Sequence, residues 1–244
     1  MLPIWTTVKQ SYGWVRDHFR LLALPMAVLF AVQFLQEILS IRLAPDSWMK
    51  IAATFLLLVV DGAFSVGLFR RVILDEIRGG LAFLRWGFEL WRYLKTVLIA
   101  TIGALILGLA LLLAAGAKFG SADFHSWKVI LIGAIAALPM LYLAARILFA
   151  FPAAALGQDK VFRLAWRSSA GNALRLLAVL VLTTLLPTVL EGLLDFAAAS
   201  TGPLAFPAAL VSSVIETLDT ALVTVSLSLS YRLLVAPPDP TDQP

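Results

Sequence analysis

The sequence predicts an all-α polytopic membrane bundle with six transmembrane helices. The chain is 61% hydrophobic and 14% charged, with a mean hydropathy of +0.92, whereas globular domains average about 45–50% apolar and about 25% charged residues. Its apolar residues also fall into six long stretches, and a helix of about 20 residues crosses a hydrocarbon layer of about 30 Å. The stretches cover residues 21–39, 51–69, 96–116, 129–149, 174–196 and 207–234.

The spans are expected to be helices, because backbone amides in lipid must find hydrogen-bond partners within their own segment. The sequence lacks the alternation over about ten residues that marks a transmembrane strand. We therefore expect a single integral membrane domain over residues 1–235 and a disordered proline-rich tail over residues 236–244. No cleavable signal is expected, because the first apolar stretch begins only after Lys9, Arg16 and Asp17.

The basic residues predict the orientation of the spans. With six spans, 15 of the 19 lysines and arginines fall on the side of the N-terminus, and the other side receives only Arg42, Lys50, Lys118 and Lys128. Cytoplasmic loops carry the excess of basic residues, so both termini are predicted to be cytoplasmic in a bacterial inner membrane. The net charge of +4 is therefore interpreted as topology and not as a nucleic-acid surface.

Three basic, tryptophan-bearing segments have the amphipathic pattern of helices that lie flat at the headgroup level. They cover residues 4–19, 78–95 and 159–170. Each precedes an outward span, so a unit of surface helix, outward span and return span is predicted three times. The units cover residues 1–70, 78–150 and 159–234. Any hairpin membrane protein that follows the positive-inside rule would share this layout, so true repeats and coincidence both remain open.

The arginines of the second and third segments are candidate contacts for anionic lipid headgroups. Each basic residue near an anionic membrane surface contributes about 1 kcal/mol of attraction. Membrane topology by itself also requires positive loops. The candidates are Arg78, Arg85, Arg92, Arg163 and Arg167.

Carboxyl groups within the predicted spans form a second candidate site. An acidic residue at the centre of a span costs about 2.5–3.5 kcal/mol on insertion scales, so such residues usually face the bundle interior or water. Asp61, Glu216 and Asp219 lie near the midplane and are candidates for a proton or cation site, or for protonated carboxyls that tie helices together. Glu191 and Asp195, four residues apart near the outer surface, are candidates for an outward vestibule.

Two spans carry patterns that predict close helix contacts. Glu216, Asp219 and several serines and threonines make one side of the last span polar, so this span is expected to be central. In the third span, Ala100, Ala104 and Gly108 form a small-residue stripe at a spacing of four. Such a stripe is either a seam within the bundle or a dimer face.

Several chemistries have no sequence support. There is no cysteine, which excludes thiol chemistry and disulfides. The only histidines, His18 and His125, are predicted on opposite sides of the membrane, so no metal site is expected. Phosphate loops, nucleophile elbows and zinc-protease motifs are missing. We expect no enzyme and no cofactor.

The segments RILFAFPAAA (residues 146–155), AWR (165–167) and GNALRLL (171–177) carry a resemblance to known proteins. The chain resembles a group of short bacterial inner-membrane proteins, common in alphaproteobacteria and uncharacterised. It is also distantly similar to the membrane domain attached to some glycerophosphoryl diester phosphodiesterases. The resemblance implies a six-helix membrane fold, and it carries no catalytic residue over to this chain.

Three functions fit these observations. The first is a non-enzymatic inner-membrane protein that binds lipids or protein partners through its basic surface segments. The second is a small proton- or cation-coupled transporter that uses Asp61, Glu216 and Asp219. The third is an accessory subunit of a membrane complex, or a homo-oligomer, that associates through the small-residue stripe.

Overall fold

A computed structural model describes residues 2–43, 47–114, 139–200 and 205–235. Over these residues the chain is helical and contains no strand, which confirms the all-α prediction. In chain order the elements are α1 (Ile4–Asp17), α2 (Phe19–Arg42), α3 (Trp48–Leu74), a 3₁₀ turn (Gly80–Phe83), α4 (Phe88–Ala114), α5 (residues 139–147), α6 (Ala150–Ala155), α7 (Val161–Ser168), α8 (Ala173–Ser200) and α9 (Ala205–Leu234).

Five of these helices, α2, α3, α4, α8 and α9, are long and apolar enough to cross a membrane. Large apolar side chains on their surfaces are exposed, such as Leu105 and Leu193, whereas many serines and threonines are buried. This distribution reverses that of a soluble protein and indicates a multi-pass membrane protein. Of the fourth predicted span only residues 139–149 are described; residues 129–138 and the predicted tail, 236–244, lie outside the described part of the chain.

Helix α9 forms the centre of the bundle, as its polar pattern predicted. It packs against α1, α2, α3, α6 and α8. Its inward face carries small side chains that let neighbouring helices approach closely, and Ala221, Ser226 and Ser230 are fully buried. The hydroxyl of Thr217 donates a hydrogen bond to Gln33 Oε1 and so links α9 to α2.

Helix α1 is a helix where the sequence predicted one, but it packs into the bundle instead of lying only at its surface. Its main neighbours are α8 and α9. The hydroxyl of Ser226 donates to Ser11 Oγ at 2.8 Å, and the Tyr12 hydroxyl donates to the Thr183 carbonyl at 2.8 Å. The opposite side of α1 exposes Trp5. Small polar side chains on one face therefore dock this helix against the membrane helices.

The predicted surface helix over residues 78–95 is wrong for residues 78–87. The chain there forms the short 3₁₀ turn, and α4 begins only at Phe88. Gly80 has a φ of +62°, and Phe83 is buried against α3. The Arg85 backbone N–H donates to the Ala63 carbonyl of α3 at 3.3 Å. Close packing on α3 has therefore replaced the regular helix that the amphipathic pattern predicted.

Several contacts gather the predicted cytoplasmic segments at one end of the bundle. The Arg232 guanidinium donates to the Val72 carbonyl at 3.0 Å, which joins the last turns of α9 and α3. The Leu2 backbone N–H donates to Asn172 Oδ1 at 3.1 Å, which ties the N-terminus to the start of α8. We call this end of the bundle the basic end, and the α6–α7 connection also lies there.

Candidate functional site

A cavity of about 300 Å³ opens at the basic end, between α4 and the connection from α6 to α7. Four basic side chains line it against a single acidic one, Asp159. The basic residues are Arg92, Lys95, Lys160 and Arg163. Apolar side chains, among them Ile99 and Phe162, complete the wall. We call this space the basic cavity.

The helical repeat of α4 brings one half of this lining together. Arg92, Lys95 and Ile99 follow one another at intervals of three and four residues, which places them on one face of the helix. On the other side, Lys160 caps the start of α7 in a left-handed conformation with a φ of 55°. Arg163 lies three residues further on, about one helical turn into α7.

Helix α7 is held in place by contacts with α5. The Trp166 ring covers the Arg146 guanidinium, whose central carbon lies 4.3 Å from the ring centroid. The Ser169 hydroxyl donates to the Arg146 carbonyl at 3.0 Å. Arg146 is only 8% exposed, so the aromatic face contributes part of the stabilisation that water would otherwise give the charge. These contacts fix the position of α7, and with it that of Arg163.

Arg92 is already oriented by the protein. Its guanidinium donates to the Gly157 carbonyl and, at 3.2 Å, to Asp159 Oδ1. The ion pairs found among the described residues include none for Lys95, Lys160 or Arg163. The cavity therefore presents a pre-positioned arginine and three further cations to an incoming anion. Planar guanidinium groups suit phosphate oxygens especially well.

Arg85 and Arg78 lie elsewhere, around Glu76. The two Glu76 carboxylate oxygens accept hydrogen bonds from Arg70 and Arg85, and Arg78 Nε lies 4.0 Å from Glu76 Oε2. Burial alone would raise the pKa of Glu76, but the hydrogen bonds and charges of Arg70 and Arg85 outweigh it and lower this pKa below 4.5. Glu89 joins the cluster, with Oε1 3.8 Å from Arg70 Nη1. The guanidinium of Arg85 is thus engaged within the protein.

Sequence reasoning therefore found part of the basic cavity. Of its five headgroup candidates, Arg92 and Arg163 line the cavity, and Arg167 is exposed on α7 outside the lining. Lys95 and Lys160 were not predicted as site residues. Their spacing could have indicated them, because each lies three residues from a predicted site arginine.

The midplane acids have different neighbours. Asp61 of α3 lies within electrostatic range of Tyr93 of α4. Asp219 of α9 lies within electrostatic range of Glu191 of α8 and of Tyr12 of α1. Burial and then the Asp219 charge raise the pKa of Tyr12.

Asp219 also has an unusual oxygen. Its Oδ1 atom is buried without a hydrogen-bond partner among the described residues. Glu216 lies one turn earlier on α9 and is half-buried. Asp219 and Glu191 thus lie within electrostatic range of each other across α8 and α9. The side chain of Asp195, the other predicted vestibule residue, lies outside what the structure describes.

No group of three or more histidine, cysteine, aspartate or glutamate side chains suited to a metal ion occurs among the described residues. In comparisons with known proteins, no family model matches the chain, and no curated protein or solved structure matches it. The resemblance carried by residues 146–177 therefore stays a prediction.

Proposed function

We propose that this chain is a non-enzymatic multi-pass protein of a bacterial inner membrane that binds anionic lipid headgroups at its basic end. The observation that supports this function is the basic cavity, with four cations against one carboxylate. A surface that is positive only because of topology would not need to be concave or to hold an arginine in place. The Arg92 contacts with Gly157 and Asp159 provide such a hold.

The proposal includes six spans with both termini in the cytoplasm. A Cβ added to Gly108 of α4 would lie 3.9 Å from Met140 Cε of α5, whereas Ile99 and Ile147 share a cavity wall nearer the basic end. The two helices therefore run antiparallel. Since α4 begins and α6 lies at the basic end, the intervening chain would cross the membrane and return. The excess of basic residues assigns that end to the cytoplasm.

The threefold repeat has weaker support than the six spans. The three surface segments would have to share a structure if the units were copies. They are instead a 14-residue helix, a four-residue 3₁₀ turn and an eight-residue helix. A common hairpin layout under the positive-inside rule accounts for the pattern equally well.

Replacing both Lys95 and Lys160 by glutamine is expected to weaken binding of phosphatidylglycerol about 30-fold, because each lost cation removes about 1 kcal/mol. Native mass spectrometry of the protein in mild detergent, titrated with phosphatidylglycerol or phosphatidylcholine, would measure this. The matched control replaces Arg20 and Arg167, which are exposed outside the cavity lining. If the control lost as much affinity as the cavity variant, binding would reflect overall charge and the site would be rejected.

A second candidate function, proton- or cation-coupled transport, is favoured by one observation. The buried Asp219 Oδ1 has no hydrogen-bond partner among the residues described, and unsatisfied buried polar atoms are typical of functional positions. If the lipid-binding function is correct, Asp219→Asn retains wild-type phosphatidylglycerol binding, and proteoliposomes with either protein show the same proton flux with a pH-sensitive dye. A wild-type flux above that of empty vesicles, abolished by Asp219→Asn, would establish transport instead.

Association with a membrane-protein partner, or with a second copy, stays a prediction. The small-residue stripe lies toward α5, since Ala100 and Ala104 share a cavity with residues of that helix. This position favours a role within the bundle over a dimer face. Purification in mild detergent, followed by mass measurement of the intact particle, would show whether a protein accompanies the chain.

A further inference from the structure

A second cavity, of about 250 Å³, continues from the basic cavity along the groove between α4 and α5. The two cavities share Ile99 and Phe162 in their walls. Beyond these residues the lining is entirely apolar or small. On α4 it consists of Ala100, Gly103, Ala104 and Leu107, and on α5 of Met140, Leu143, Ala144 and Ile147.

The two cavities follow a single face of α4. From Arg92 to Leu107 this face is about 22 Å long, at 1.5 Å per residue. Its apolar part, from Ile99 to Leu107, accounts for about 12 Å. One leaflet of a bilayer has a hydrocarbon depth of about 15 Å, half of the 30 Å core. The groove thus has the depth that an acyl chain reaches when its headgroup is at the membrane surface.

The small residues of α4 make room for this groove. A larger side chain at Ala100, Gly103 or Ala104 would fill the space between α4 and α5. A Cβ added to Gly103 would meet no atom within 4 Å, which shows that the space beside it is open among the described residues. The groove also continues directly into the basic cavity. The four cations of that cavity favour an anionic lipid over a neutral one.

We propose that the basic cavity and the α4–α5 groove together form a site for one anionic phospholipid. Its phosphate group binds among Arg92, Lys95, Lys160 and Arg163, and one acyl chain lies in the groove. This inference rests on the proposed function and adds that the ligand is a whole lipid taken from the bilayer. A soluble phosphate compound would use only the basic mouth, and a neutral lipid would leave the cations uncompensated.

The first test fills the groove. Ala100→Phe and Ala104→Phe place a ring in the space for the acyl chain and are expected to lower phosphatidylglycerol retention roughly tenfold, equivalent to the contacts of about two methylene groups. Thr101→Phe is the matched control, because Thr101 is exposed on α4 outside the groove lining. The readout is native mass spectrometry on proteins that elute as single species. Equal retention by the groove variants and the control would overturn the inference.

The second test separates a whole lipid from its headgroup. Glycerophosphoglycerol, the deacylated headgroup, is expected to displace bound phosphatidylglycerol at least roughly a hundredfold less effectively than the intact lipid, since it gains nothing from the groove. Equal displacement would show that only the phosphate is recognised. In that outcome, or if groove variants bind normally while the Lys95 and Lys160 variant does not, the acyl site is rejected and headgroup binding stands. If none of these variants alters lipid binding, both proposals fail.

The third test needs no variant, so it remains decisive if the phenylalanine substitutions impair folding. Phosphatidylglycerol with a diazirine on its acyl chain is photolysed with the wild-type protein in vesicles, and labelled peptides are identified by mass spectrometry. Excess unlabelled phosphatidylglycerol is expected to suppress labelling of Met140 and Leu143, whereas phosphatidylcholine is not. Labelling of these residues that both lipids suppress equally, or that is missing, would overturn the proposed site.

Discussion

Replacing Gly67 by alanine is expected to destabilise the fold strongly and to lower the yield of folded protein. A Cβ at this position would overlap the Phe83 carbonyl oxygen and would lie 3.0 Å from two atoms of the Phe83 ring. The carbonyl belongs to the backbone, so no rotamer change can relieve the overlap. Overpacking a core typically costs about 1–3 kcal/mol, and we expect about 3 kcal/mol or more here because the backbone itself must move.

The Phe83 segment has little freedom to withdraw from Gly67. Phe83 is buried within the core, and two residues later the Arg85 backbone N–H is bonded to Ala63. Moving the segment would therefore expose an aromatic side chain to a new environment and break a backbone hydrogen bond that water would not readily replace. The substitution therefore disturbs the Phe83 carbonyl, the buried Phe83 ring and the Arg85 hydrogen bond together.

The measurement is the yield of monodisperse protein and its thermal unfolding in detergent. Gly192→Ala is the matched control, because Gly192 is also helical and a Cβ there would meet no atom within 4 Å. Alanine is favoured over glycine in a helix by about 0.8–1 kcal/mol, so the control should be neutral or slightly stabilised. A Gly67→Ala protein that unfolds at the wild-type temperature would refute the packing described for residues 80–85.

Replacing Glu76 by glutamine is expected to destabilise the protein by about 2–3 kcal/mol. Its carboxylate accepts hydrogen bonds from both Arg70 and Arg85, and each of these arginine side chains is only 14% exposed. Hydrogen bonds to charged groups are worth about 1.5–3 kcal/mol each. A neutral amide removes the carboxylate that pairs with Arg85 and leaves Arg70 with Glu89, 3.8 Å away, as its counter-charge. Partial exposure of Glu76 keeps the loss below the sum of two such bonds.

The same carboxylate predicts a pH dependence. The folded protein lowers the pKa of Glu76 below 4.5, so the stabilisation is fully present above pH 4.5 and is lost as the pH falls through the lower, folded value. Thermal unfolding should therefore shift to lower temperature below pH 4.5 in the wild type and shift less in Glu76→Gln. Asp75→Asn serves as the control, since the Asp75 side chain is 83% exposed and its φ of 55° suits asparagine. A Glu76→Gln protein with the wild-type pH profile would contradict this assignment.

Hydropathy and residue type predicted the long apolar helices and the central position of α9. Each predicted span that the structure describes in full lies inside a longer helix, as residues 51–69 do within α3 (Trp48–Leu74). The central position of α9 followed from its serines and threonines, because polar hydroxyls in lipid are best satisfied against other helices. These features depend on the physical chemistry of single segments, which a sequence carries in full.

The structure of residues 78–87 could not be predicted in this way. Their pattern fits an amphipathic helix. The observed 3₁₀ turn instead depends on Gly67 of α3, whose lack of a side chain lets the Phe83 backbone pack closely against that helix. Arginines with similar spacing likewise have different partners: Arg85 meets Glu76, whereas Arg92 meets Gly157. Such partners are set by tertiary contacts between residues far apart in the chain, so periodicity alone does not reveal them.

The basic cavity could be predicted only in part from the sequence. Its residues come from α4 and from a segment more than 50 positions later, so only the folded structure brings them together. The sequence nevertheless showed that these residues are basic, and it predicted that they lie close to the membrane surface.

The central position of α9 has a consequence for biosynthesis. Helix α9 packs against α1, α2 and α3 although it follows them in the chain, so the hydrogen bond between Ser226 and Ser11 can form only after Ser226 has been synthesised. Earlier helices would enter the bilayer with polar faces uncovered, and these faces would be covered only once α9 has been inserted. Nascent chains that stop before α9 should therefore be preferred substrates of membrane proteases, and chains that extend through α9 should lose that susceptibility.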